Sequence, residues 1–354
     1  MITKAEPIQK NIDAIQPYPP SFLDRFMRFI QRLPIPYGLT YFLLFVVESA
    51  LNHILSWRDG WLPAFTFSPI LLLFPLWQWG TLAIMTYLNA TSEAALSSFR
   101  PLLDVDDETF KKLKYEFTAM PTRGVILSGV MWVIVYFFLN YLTYNAFFVH
   151  YGLGNFMQLF TFIEGLIGYC TGSAIYYHSL RQLRLVNRTV KTVKRFNLFH
   201  LDPVYAFSRL TSRTGISWMV LLALTLLTFP LQLAKGLTLV ILALQILLAV
   251  AAFTLPLRFV NYHLVSEKRR LHAEIDRRIE LTAERLHRSV DADETGEASE
   301  FSNTLLGLNT ERDIVAGIPT WPWRSGTLTG FISAIVLPIV LLLIQLGIEK
   351  WLSR

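Results

Sequence analysis

Long apolar runs separated by short basic connections dominate the order of hydrophobic and polar positions along this chain. A bilayer's hydrocarbon core, about 30 Å thick, is crossed by roughly 20 residues of helix. Seven windows are that long and that apolar: 38–57, 67–88, 125–149, 157–179, 214–232, 237–258 and 326–348. They predict an all-α polytopic membrane protein with seven transmembrane helices. The acids inside the windows are Glu48 and Glu164.

Between the windows the period stays helical but the pattern turns amphipathic. After the fourth, "YYHSLRQLRLVNRTVKTVKRF" repeats Leu180, Leu183, Val186, Val190 and Val193 at three or four residues, with basic residues between them. After the sixth, Leu264, Leu271, Ile275, Ile279, Leu286 and Val290 recur among Glu and Arg that can pair one turn apart. Both spans are therefore expected to continue as helical extensions, with Pro256 the one breaker near the start of the second. The acidic "DADETGEASE" reads as a loose linker, and "FSNTLLGLNTERDIVAGI" as a shorter returning helix. Ahead of the first span, "SFLDRFMRFIQRL" sets Phe22, Phe26, Phe29, Ile30 and Leu33 against Arg25, Arg28 and Arg32. Two readings fit it: a helix lying on the anionic inner leaflet, or one packed on the bundle. Pro319 and Pro322 turn the chain before the last span, and Trp321 and Trp323 mark its mouth.

This divides the chain into an N-terminal segment with an interfacial helix (1–36), helices one to six (37–258), a helical anchor and linker (259–324) and the seventh helix (325–354).

Composition agrees, because 53% hydrophobic residues against 16% charged is too apolar for a soluble domain of this length. The first 36 residues show no apolar core or cleavage site of a signal peptide, so none is expected. The single cysteine, Cys170, excludes an internal disulfide. A cytoplasmic N-terminus puts 28 of the 32 basic residues inside, leaving Arg58, Lys235, Lys350 and Arg354 outside. Positive charge collects on the cytoplasmic side. The expected topology is therefore N-in, C-out in the cell's plasma or inner membrane, with basic extensions that face anionic lipid and take no nucleic acid.

A carboxyl inside a span is costly and is by default a functional candidate. Glu48 has Asn52 one turn on and His53 beside it. The patch reads either as an ion or proton site or as an interhelical hydrogen bond made by a protonated Glu48. Glu164 lies beside Gly165, Gly168 and Gly172, small residues that suit close helix packing. The chain carries no H-E-x-x-H, G-x-S-x-G, Walker or Rossmann pattern and no metal-ligand spacing, so no catalytic residue, metal or cofactor is expected and the chain does not read as an enzyme.

In the last window "PIVLLLIQL" runs five hydrophobic residues, Val340 to Ile344, into Gln345. With the seven spans, the inner extensions and the returning helix before the last span, this resembles the insect odorant and gustatory receptor superfamily of seven-span ion channels. That family's local signature is Thr-Tyr, five hydrophobics, Gln and an aromatic; here Pro338 and Ile339 replace Thr-Tyr and Leu346 replaces the aromatic. The resemblance implies a homotetramer held by its extensions, with the last helix lining a pore through Leu341, Leu342 and Gln345. It also implies a pocket for a small apolar ligand, walled by Tyr141, Tyr144, Phe148 and Phe160, although lipid contact and core packing are the simpler explanation of these positions. Two other readings remain: a secondary carrier coupled through Glu48 or Glu164, and a non-conducting sensor or scaffold.

Overall fold

The computed structural model describes residues 16–144, 155–193, 197–199, 201–228, 235–293 and 295–352. Eleven helices of ten residues or more carry most of the described residues: α1 Phe22–Gln31, α2 Tyr37–Arg58, α3 Thr81–Phe99, α4 Asp107–Thr118, α5 Thr122–Tyr144, α6 Asn155–Lys191, α7 Asp202–Thr228, α8 Lys235–Thr254, α9 Arg258–Asp291, α10 Thr295–Gly317 and α11 Ser325–Leu352. There is no strand among them, and a lone bridge joins Pro20 to Pro121. Six helices are long and apolar enough to cross a membrane: Tyr37–Arg58, Pro69–Leu102, Thr122–Leu142, Asp202–Thr228, Leu239–Asp291 and Gly326–Ile348. The chain is in this sense a multi-pass membrane protein. α6, which covers the fourth predicted window, falls outside that set because Gln158, Thr161, Glu164 and Thr171 dilute its apolar run.

α7 is the central post. Of its apolar stretch 61% is buried, against 17–39% for the other five, and it packs on α3, α8 and α11. Its inward residues, Trp218, Met219, Leu222 and Leu226, meet Met85 of α3, Phe253 of α8 and Phe331 of α11 in one core. A second core lies where the extensions run on, joining Leu96 and Phe99, Phe117, Val186 and Val190, Phe207 and Leu264. Of the stripes read from the sequence, Leu183, Val186, Val190, Val193, Leu264 and Ile275 are thus buried within this chain, whereas Leu180 and Val290 at their ends stay exposed.

α8 passes through a 3-10 turn at Leu255–Leu257, where Pro256 lacks an N–H, and resumes as α9. The expected loose linker is shorter than its composition suggested. Asp293 adopts a left-handed conformation, φ 59°, just past α9, and α10 begins at Thr295 with Glu297 in its first turn, where the helix dipole favours an acid. α10 returns along α9, fixed by Arg312 to Asp276 at 3.3 Å and by Lys268, which donates to the Ala316 and Ile318 carbonyls at 2.6 and 2.8 Å. The mouth of α11 is a ladder of rings: Trp321 stacks on Trp323 with centroids 4.4 Å apart, Trp323 on Phe253 at 5.2 Å, and Phe253 meets Phe331 at 4.4 Å.

α1 docks on the bundle through Leu23, Met27 and Ile30, leaving Phe22 and Phe29 more than half exposed beside Arg25 and Arg32. Ser21 and Asp24 form a reciprocal cap at its start. Asp24 Oδ2 also accepts from the Met120 backbone N–H at 2.8 Å, tying α1 to the loop before α5.

Candidate functional site: two carboxyls at a broken helix

The second predicted window is not one regular helix. From Pro69 the chain makes a 3-10 turn to Leu72, a short α stretch at Leu73–Pro75 and a π-turn at Leu76–Gly80 before α3 begins. Pro75 has no N–H to give the Leu71 carbonyl, one helical turn back. Asn52 of α2 gives that carbonyl its Nδ2 instead, at 3.2 Å. Thr81 turns its hydroxyl onto the Trp77 and Gln78 carbonyls at 2.5 and 3.2 Å, satisfying backbone that the π-turn distorts. π-turns inside helices are frequent at functional sites.

Two acids converge on this break. Glu48, at the middle of α2, accepts at Oε2 from the Trp79 indole N–H and from Gln78 Nε2, the latter at 3.3 Å. Both donors belong to the π-turn. Glu164 of α6 is 7% exposed and accepts from Asn52 Nδ2 at 2.6 Å. Its carboxyl lies near enough to that of Glu48 for the two to interact electrostatically. Asn52 sits one turn past Glu48, and its amide bridges Glu164 to the broken backbone. The Leu71 carbonyl can only accept, so it orients the amide and leaves Asn52 Oδ1 without a partner, although Asn52 is 1% exposed.

His53 stands apart from this exchange. Its Nδ1 faces the Ser49 carbonyl at 2.8 Å and its Nε2 accepts from the Ser68 N–H at 3.2 Å. A carbonyl on one side and an N–H on the other select the neutral imidazole with the proton on Nδ1. His53 is a strut between α2 and the segment before the 3-10 turn, stacked on Phe67 at 5.1 Å.

Beside Glu164 a small pocket is lined by Asn52, Trp61, Ile70, Leu71, Phe74, Met157, Phe160, Thr161 and Glu164, with room for a group about the size of a water molecule. Of the aromatic residues read as a ligand wall, Phe160 lines it. Tyr141 is 82% exposed on the outer face of α5, while the Tyr144 side chain and Phe148 lie outside the described residues. Gly165 and Gly172 face the broken segment: a Cβ on Gly165 would stand 2.4 Å from the Tyr136 hydroxyl and 3.0 Å from Phe74, and one on Gly172 3.1 Å from Trp77. Gly168 keeps ordinary contact distance to Phe74 and Trp77. The glycines let α6 approach the break closely enough for Glu164 to reach Asn52.

The residues read as pore-lining sit elsewhere. Leu342 is buried in the core against α7, Leu341 is half-buried, and Gln345 donates its amide to the Leu226 carbonyl of α7 at 2.6 Å. Sequence reading missed Gln78, Trp79 and the Leu71 carbonyl. The signal for them was "SPILLLFPLWQWG", two prolines and a glycine bracketing a polar pair inside an otherwise apolar run. No protein-family model, curated protein or solved structure matches this chain.

Proposed function

We propose that this chain is a proton-coupled membrane carrier whose coupling site is the Glu48–Glu164 pair. The observation that carries the reading is the meeting of two carboxyls from separate helices against a π-turn, with donors aimed at both. Carboxylates this close repel if both are charged, so the pair holds one proton between them and binds a cation when it gives that proton up. Discontinuous helices at such sites let carriers reorganise around a bound ion. The four residues Leu76, Trp77, Gln78 and Trp79, flanked by Pro75 and Gly80, provide a joint of that kind.

The reading includes α6 as a seventh span, because a helix that brings Glu164 into a membrane site is diluted by the residues that serve the site. The basic residues then support a cytoplasmic N-terminus and an external C-terminus, which puts the pocket beside Glu164, lined in part by Trp61 past the end of α2, in the outer half of the bundle. α11 serves as a packing helix, with Gln345 bonded inside the chain.

The test is a proton-concentration jump on the purified protein in a solid-supported membrane. Carriage predicts a transient current that Glu48→Gln and Glu164→Gln each abolish and Gln345→Leu leaves intact. Currents unchanged in both glutamine variants would sink the proposal. A sustained conductance lost in Gln345→Leu would favour the pore instead.

A further inference from the structure

Independently of what the carboxyl pair carries, we infer that the exposed face of α1 is a docking surface for anionic phospholipid, with Phe22 and Phe29 among the acyl chains and Arg25 and Arg32 on the headgroup phosphates. The two readings that the sequence allowed for this helix are compatible, since each takes a different side of it. Leu23, Met27 and Ile30 enter the core, and Phe26 meets Trp79 of the π-turn with ring centroids 6.2 Å apart. Phe22, Arg25, Phe29 and Arg32 recur at three or four residues on a separate stripe and stay exposed.

Charge decides the occupant. The acid of this helix, Asp24, is buried: its Oδ2 accepts from the Ser21 hydroxyl at 2.7 Å and from the Ser21 and Met120 N–H groups at 3.0 and 2.8 Å. With that carboxyl turned inward, the outer side of α1 carries positive charge alone. Arg28 leans back to the Asp24 carbonyl, 3.4 Å from its Nε, whereas Arg25 and Arg32 make no ion pair among the described residues. An arginine beside an exposed phenyl ring suits a boundary that is apolar on one side and anionic on the other: the ring enters hydrocarbon while the longer side chain reaches phosphate. A partner that was only anionic would leave both rings in water.

Position agrees with charge. Pro34 and Pro36 follow α1, and α2, a spanning helix, begins at Tyr37. Exposed Ile35, Leu39, Phe42 and Leu43 carry the apolar surface along the chain from Phe29 onto α2. With the N-terminus in the cytoplasm the leaflet is the inner one, where anionic lipid collects.

The experiment uses the full chain in phosphatidylcholine nanodiscs, carrying one nitrobenzoxadiazole-labelled cysteine, Phe29→Cys in a Cys170→Ser background. A fixed fraction of the lipid bears a nitroxide just below the headgroup, on phosphatidylglycerol in one set and on phosphatidylcholine in the other. Both leaflets of a nanodisc are alike, so the result is independent of the chain's orientation. The expected result is quenching by both lipids, about threefold stronger with the anionic one, and a preference that falls as salt is added. Arg25→Gln with Arg32→Gln should remove the preference, keep the quenching by neutral lipid and leave thermal unfolding unchanged, because both side chains are at the surface. Arg270→Gln with Arg278→Gln, on paired arginines of α9, should leave the preference intact. Equal quenching by the two lipids overturns the inference and assigns the face to hydrocarbon contact alone, as does a preference that survives in Arg25→Gln with Arg32→Gln. Quenching by aqueous iodide and by neither lipid also overturns it, and loss of that iodide quenching at higher protein concentration would give the face to a second copy of the chain. Each of these outcomes leaves the reading of the carboxyl pair standing.

Discussion

Asn52 and Glu164 lie 112 positions apart and meet at 2.6 Å, amide nitrogen to carboxyl oxygen, inside the bundle. This bond joins α2 to α6 and, through the second hydrogen of the same amide, joins both to the Leu71 carbonyl that Pro75 leaves unserved. Replacing Asn52 with Leu would strip a donor from Glu164 and from Leu71 together. A cost of about 2–4 kcal/mol is expected from leaving both acceptors unmatched. Thermal unfolding in detergent would show it, and the burial of Glu164 makes a neutral result incompatible with the geometry.

At Gly165 the prediction concerns space. An alanine Cβ would press on the Tyr136 hydroxyl, which donates to the Phe162 carbonyl at 3.0 Å. Gly165→Ala should destabilise by about 1–3 kcal/mol. Tyr136→Phe removes the nearest atom, so the double variant should be more stable than the sum of the singles implies. Strict additivity would mean that the clash is absorbed elsewhere.

Asp24 gives a dependence on pH. Burial raises its carboxyl above the ordinary 3.8, against the opposing hydrogen bonds from Ser21 and Met120 and the charge of Arg28. A raised pKa means that the folded state holds the proton more tightly than the unfolded one. The contribution is therefore fully present below 3.8 and is lost as pH rises through the folded value. Amide exchange across α1 should accelerate over that window as pH increases, beyond the intrinsic rate. Asp24→Asn should flatten the profile, and an unchanged profile would assign the dependence to another group.

Lys268 holds the end of α10 by donating to the Ala316 and Ile318 carbonyls. Lys268→Met keeps the aliphatic stem but removes both bonds and a positive charge at a helix C-terminus. Hydrogen exchange at the last turn of α10 should rise severalfold, corresponding to about 1 kcal/mol, while the membrane helices stay protected.

Topology can be read with cysteines placed one at a time, since Cys170 is the one cysteine in the chain. In a Cys170→Ser background, Phe65→Cys, in the loop after α2, should react with an impermeant maleimide added outside intact cells. Arg270→Cys on α9 should react only after lysis. The reverse pattern would invert the proposed orientation and move the pocket to the cytoplasmic side.

Much of this architecture was legible along the chain. Apolar length marks the spanning helices, and three-to-four spacing marks the extensions beyond α6 and α8, because both properties belong to single segments. Glu48, Asn52 and Glu164 stand out one by one, since an acid or amide in an apolar run has no cheap explanation. Pro256 was visible as a joint for the same local reason.

Which of these residues meet was not legible. Glu48 and Glu164 come together because Pro75 frees a carbonyl, a π-turn turns Trp79 and Gln78 towards α2, and glycines on α6 let it close on the break, three conditions in three separate segments. The amphipathic stripes specified that burial was needed without naming a partner, and packing supplied α3, α4 and α7 and, along most of α9, α10 within the same chain. The sequence alone determined which stretches are helical and apolar, through periodicity that each segment carries by itself. The tertiary structure decided the site, because hydrogen-bond partners a hundred positions apart are selected by packing and by the backbone groups that packing leaves unsatisfied.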